Sequence, residues 1–95
     1  MAYWTLNKNQ LKLLLAVCQG LHDEQSLAQQ LNWKPQMVSL ITRGLIDPVL
    51  GCSSGLLTAK VTFFGSSTEA HVSEIRLTPL GQQVCEKKSP VVHCP

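Results

Sequence analysis

Residues 24–46 read EQSLAQQLNWKPQMVSLITRGLI, and their reading decides how the rest of the 95-residue chain is arranged. Leu27, Ala28 and Leu31 give a first short helix an apolar stripe at i, i+1 and i+4. Met37, Leu40 or Val38, Ile41 and Leu45 do the same for a second helix at i+3/i+4 spacing. Asn32-Trp33 forms the hinge, with the Trp33 ring expected to plug the gap between the helices rather than stack on a ligand. Asp23 suits the N-cap of the first helix, where the helix dipole favours Asp23 and Glu24. Pro35 suits the opening turn of the second because its missing N–H costs nothing there, and Asp47-Pro48 stops that helix.

Upstream, residues 1–6 form a short arm with Tyr3, Trp4 and Leu6. Asn7 and Gln10 have the spacing of a capping box, so a helix should run from there to about Gln19, with Gly20 as its stop. Leu11, Leu14, Leu15 and Cys18 make one face of it, and Lys8, Lys12, Ala16 and Gln19 the opposite one. Leu13 and Val17 widen the apolar side, either to complete the core or to form a subunit contact. Leu21-His22 is a short connector that can pair as a two-residue strand against the downstream hairpin.

Downstream, residues 48–55 are a Gly/Ser-rich loop. Residues 57–64 and 71–77 read as strands, with Val72, Ile75 and Leu77 apolar in the second and residues 65–70 as the hairpin loop. Thr78 as N-cap and Pro79 behind it begin a last helix over residues 79–88, its lysines Lys87 and Lys88 at the C-terminal end. Residues 89–95 read as a loose tail.

Length allows one domain, and 44% hydrophobic content with 15% charged residues allows it a core. The expected fold class is therefore α+β, mainly α, over a single domain of residues 1–95. Its parts are a helix-turn-helix at 23–46, a β-hairpin wing at 56–78, a C-terminal helix at 79–88 and a tail at 89–95. Three helices followed by a β-hairpin and a further helix form the winged helix-turn-helix order.

Two stretches carry a family resemblance. Leu27-Ala28-Gln29-Gln30-Leu31, with Val38, Ile41 and the Gly44-Leu45-Ile46 exit, resembles helix 2 and the recognition helix of MarR-like transcriptional regulators. Ile75-Arg76-Leu77-Thr78-Pro79-Leu80-Gly81 is similar to the segment that ends their wing and starts the next helix. The likeness covers roughly residues 11–88. It implies sequence-specific binding of duplex DNA by a homodimer, with the second helix of the motif in the major groove. Three features depart from the family. The path from the recognition helix to Gly44-Leu45-Ile46 is about one turn short, loop 65–70 has no arginine or lysine, and the long terminal dimerisation helices are absent.

If Met37, Leu40, Ile41 and Leu45 are buried, Gln36, Ser39, Thr42 and Arg43 face outward to meet base edges. Lys34 at the helix start, and Lys60 and Arg76 on the wing, would meet phosphates, as would Gln25 and Gln29. The other register buries Val38 and exposes Leu40, which puts an apolar residue in the middle of the reading face and weakens the DNA reading. The formal net charge of +2 is small for a DNA-binding domain, and a winged helix used as a protein-interaction module is the alternative.

Other chemistries find little support. Cys18, Cys52, Cys85 and Cys94 contain no Cys-x-x-Cys pair, and with His22, His71 and His93 they match no zinc spacing. Gly51-Cys52-Ser53-Ser54-Gly55 resembles a nucleophile elbow only superficially, and no acid–base constellation is evident, so neither enzyme activity nor a cofactor or metal is expected. No apolar run is long enough to span a bilayer and the N-terminus has no secretory pattern, so a cytoplasmic chain with reduced cysteines is expected. Cys18 and Cys85 would then serve as small hydrophobes, with Cys52 and Cys94 exposed.

Overall fold

The structure, a computed structural model, describes residues 3–48, 52, 54–63 and 70–93. Four helices and two two-stranded antiparallel sheets make an α+β arrangement. The helices are α1 (Lys8–Cys18), α2 (Glu24–Leu31), α3 (Pro35–Ile46) and α4 (Pro79–Lys87). The strands are β1 (Tyr3–Thr5), β2 (Leu57–Phe63), β3 (Ala70–Leu77) and β4 (Val91–His93), with β2 paired to β3 and β1 to β4.

The helix termini follow their local chemistry. The Asn7 side chain accepts from Gln10 N while Gln10 Oε1 accepts from Asn7 N, which completes the expected capping box. Asp23 caps α2 through Ser26 N, and Thr78 caps α4 through Gly81 N. α2 ends where Asn32 takes a left-handed conformation at φ 57°, and Gly20 does the same after α1 at φ 104°. Trp33 then packs, half-buried, against the core as expected.

Leu13, Leu14, Val17, Leu27, Val38, Leu45, Leu56 and Ile75 form the centre of that core. α1 is rotated from the expected face: Leu13, Ala16 and Val17 are buried, and Leu11, Leu15 and Cys18 lie at its margin. Neighbours on three sides (α2, α3 and α4) explain the wide apolar surface. Leu13 and Val17 are consumed inside the chain and are not available for a subunit contact.

The hairpin contains one irregularity. Val72 and Ile75 are three apart, so a regular strand would point them to opposite faces. A register shift opposite Ala59, with Glu74 at φ 53°, inserts an extra residue and lets both side chains enter the core. His22 docks beside this bulge. Its carbonyl accepts from Ile75 N at 2.9 Å, and its Nδ1–H donates to Ile75 O at 2.8 Å. The expected pairing of the Leu21-His22 connector thus occurs through a single residue.

Gly55-Leu56 threads between the end of α3 and the start of α4. Leu56 N donates to Leu45 O, Thr78 N donates to Leu56 O, and the buried Thr78 hydroxyl donates to Gly55 O at 2.8 Å. A Cβ on Gly55 would collide with the carbonyls of Ile46 and Leu45, and one on Gly81 with the carbonyl of Leu56, so glycine sets the spacing at both crossings.

Two expectations need correcting. The segment read as a tail is partly ordered structure: β4 pairs with β1 in the register Tyr3↔His93, Trp4↔Val92, Thr5↔Val91, and Trp4 and Val92 are buried. The described cysteines are not reduced. Cys18 and Cys85 form a disulfide because the packing of α1 on α4 brings their Cα atoms to 5.7 Å, and Cys52 is disulfide-bonded as well. Ala70, expected in the hairpin loop, begins β3, while residues 64–69 and Cys94 lie outside the described residues. Among the described residues no helix is long and apolar enough to cross a membrane.

The Cys18–Cys85 bond spans a sequence separation of 67, so the chain-entropy model gives it a large effect on the unfolded state. Replacing both cysteines by serine should lower stability by about 4 kcal/mol. Urea unfolding of the oxidised protein and the double variant reads this out, and coincident midpoints would show that the bond contributes nothing.

Candidate functional site

α3 carries most of the residues singled out from sequence, and its rotation decides what each can do. Val38, Ser39, Thr42 and Leu45 are buried, and Leu40 is 63% exposed. The first register, with Leu40 inside and Ser39 and Thr42 outside, is therefore corrected, and α3 adopts the alternative one. Ser39 is 2% exposed and donates its hydroxyl to Ala70 O at 2.6 Å. Thr42 is fully buried and its Oγ1 has no hydrogen-bond partner. Neither side chain can touch a nucleic acid in this arrangement.

The physical reason lies in what covers α3. It packs against α1, α2 and both hairpin strands. Small polar residues allow the close approach of β3, and Ser39 satisfies a strand carbonyl there. Val38, Thr42 and Leu45 form a stripe at i, i+4 and i+7, as regular as the one first expected.

Gln36 remains exposed, Arg43 is partly buried, and Lys34 is exposed just ahead of the helix. At 3.6 residues per turn, Lys34 and Arg43 fall roughly half a turn apart around the helix axis. Lys60 and Arg76 are exposed on β2 and β3, where they alternate with the inward residues Val61, Val72 and Ile75. They project from the outer face of the hairpin, away from the helices. Lys34 and Arg43 thus lie on different sides of α3, and Lys60 and Arg76 stand on the hairpin strands rather than on that helix.

The structure brings other residues together instead. A cleft of 250 Å³ opens where α3 meets the first residues of α2 and β3, with Glu24, Gln36, Leu40, Arg43, Ala70 and His71 on its walls. Glu24 is 8% exposed, and its Oε2 lies 2.9 Å from His71 Nδ1. Its Oε1 is buried without a partner, as is Arg43 Nε. From sequence, Glu24 is marked only as a residue the helix dipole favours, and His71 only by its failure to match a zinc spacing. Burial of Glu24 depends on β3, 47 positions away in sequence, and nothing local announces it.

Above the cleft the exposed surface of α3 is apolar at its centre. Leu40 stands out between half-buried Met37 and Ile41, with Gln36, Gly44 and Asp47 exposed around them. Phe63 is 61% exposed and pairs with Ala70, a cleft residue. Among the described residues no group of three or more His, Cys, Asp or Glu side chains is placed to hold a metal ion.

Comparison of the chain with protein-family models, curated proteins and solved structures finds no match.

The two buried hydroxyls on α3 should respond oppositely to removal. Ser39→Ala strands a buried carbonyl and should cost about 1–3 kcal/mol, whereas Thr42→Val removes an unpartnered hydroxyl and should be neutral or stabilising by up to about 1 kcal/mol. Chemical denaturation of both variants tests this, and equal losses would contradict the assigned rotation of α3.

Proposed function

We propose that the chain is a winged-helix module that docks a protein partner on the outward face of α3. Leu40 carries this reading: it is 63% exposed at the centre of that face, with apolar Met37 and Ile41 beside it and polar groups around them. An apolar centre inside a polar rim is the anatomy of a protein interface. A groove-reading face instead needs donors, acceptors and cations aimed at bases and phosphates. The Glu24 carboxylate beneath the same face adds a charge that phosphates would avoid.

Element order supports the winged-helix reading. Three helices precede the hairpin, His22 joins the α1–α2 connector to β3, and Thr78 caps the helix that follows the wing. The resemblance to MarR-like regulators rests on the same elements. The Cys18–Cys85 bond favours an oxidising setting over the cytoplasmic one expected from sequence.

Duplex DNA binding by a transcriptional regulator is the second reading, favoured by Lys34, Gln36 and Arg43 all reaching the surface at α3. Leu40 would then meet a thymine methyl, and two copies on a two-fold site would supply the affinity that one lacks.

The two readings part in one experiment. A photo-crosslinking amino acid replaces Leu40 in the host cell, with position 8 on α1 as control. Protein docking predicts a discrete protein adduct at 40 and none at 8, and a nucleic-acid adduct or no adduct contradicts it. In parallel, anisotropy on mixed-sequence duplex DNA at two salt concentrations should show no steep salt dependence. Tight binding whose salt slope falls by about 1 on Arg43→Ala would establish the DNA reading instead.

A further inference from the structure

We infer that the outward face of α3 docks a second copy of this chain, the two α3 helices packing antiparallel across a two-fold axis. The inference rests on the protein-docking reading of Leu40 and names the partner. It starts from Gly44, which is exposed on the helix one turn beyond Leu40. A Cβ added to Gly44 would meet no described atom within 4 Å outside its own stretch of helix. Its backbone is ordinary α-helix, so neither a close contact inside the chain nor a left-handed conformation calls for glycine there. Glycine in an exposed helix interior costs stability relative to alanine. The hollow it leaves beside the exposed Leu40 suits a knob from outside the chain.

The face complements itself. Gln36, Leu40, Gly44 and Asp47 are exposed and fall within a sector of about 80° around the helix axis, with half-buried Met37 and Ile41 on one flank. A two-fold axis opposite residue 42 sets each Leu40 over the Gly44 hollow of the other copy. The same register brings Gln36 opposite Asp47 of the other copy, where the amide donates to the carboxylate. It also returns the apolar flank of Met37 and Ile41 to its own counterpart. A second copy uses the knob and the hollow at once.

Charge agrees with the antiparallel direction. Lys34 and Asp47 are exposed at opposite ends of α3. Antiparallel packing sets each Asp47 at the Lys34 end of the other helix and opposes the two helix dipoles, whereas parallel packing would set Asp47 beside Asp47. Arg43 lies at the edge of the face, on the wall of the cleft, with its Nε buried. One helix face per copy is a small contact, so the dimer should be weak, with Kd of about 10–300 µM.

Sedimentation equilibrium of the full disulfide-bonded chain, up to about 1 mM, tests the inference and should show a reversible monomer–dimer equilibrium. Leu40→Ser and Gly44→Gln should each weaken the dimer by about tenfold or more. Gly44→Gln fills the hollow with a better helix former, so its urea midpoint should not fall, which separates loss of the contact from loss of the fold. Gln36→Glu should weaken the dimer and Gln36→Lys tighten it, each by about threefold, through Asp47 of the other copy. A chain that stays monomeric at the highest concentration, or a dimer unchanged in both Leu40→Ser and Gly44→Gln, would overturn the inference. The crosslinker at position 40 separates this failure from failure of the docking reading. An adduct of twice the chain mass supports the second copy. An adduct with a different protein, from a chain that is monomeric alone, overturns only the second copy, and no protein adduct overturns both.

Discussion

A single buried hydrogen bond, from the Ser39 hydroxyl to the first carbonyl of β3 at Ala70, fixes how α3 is turned. Rotation of α3 about its axis is the variable on which the surface depends. With Ser39 held against β3, Val38, Thr42 and Leu45 must point inward, and Leu40 must point out. The same rotation brings Gln36, Leu40 and Arg43 onto one stripe above Glu24, which makes the cleft. Ser39 contributes little hydrophobic area, yet an unpaired strand carbonyl in its place would cost more than a typical hydrogen bond contributes. Thr42, fully buried beside it with an unused hydroxyl, is tolerated because the position needs small size and shape more than polarity.

Around α3 the chain is held by close backbone crossings and by covalent closure. Gly55 and Gly81 permit carbonyls to approach where side chains would block them, and Thr78 bonds both to Gly55 O and to its own helix. His22 satisfies both backbone groups of Ile75 next to the bulge at Glu74, the irregularity that admits Val72 and Ile75 to the core. Farther out, Cys18–Cys85 ties α1 to α4, and β1 with β4 draws the two described ends together. A chain of 95 residues has a small core, and these links compensate for it.

Features governed by neighbours in sequence were legible in it. The Asn7–Gln10 box, the Asp23 and Thr78 caps, Pro35 and Pro79 at helix starts, and the four helices and hairpin all follow from residues a few positions apart. Features governed by distant partners were not. Val38-Thr42-Leu45 and Met37-Ile41-Leu45 are equally good helical stripes, and only β3 selects between them. β4 is three residues long and takes its identity from β1, some 90 positions earlier. The Cys18–Cys85 bond depends on α1 meeting α4, which no spacing encodes. The buried Glu24 likewise depends on β3.

The central claim, that α3 presents Leu40 and withdraws Thr42, can be read directly from methyl groups. In a sample with labelled Leu, Val and Thr methyls, a soluble paramagnetic agent should strongly broaden the Leu40 signals and leave those of Val38, Thr42 and Leu45 sharp. Broad Thr42 and sharp Leu40 signals would mean that α3 is turned the other way, and the interface and the cleft described above would both be lost.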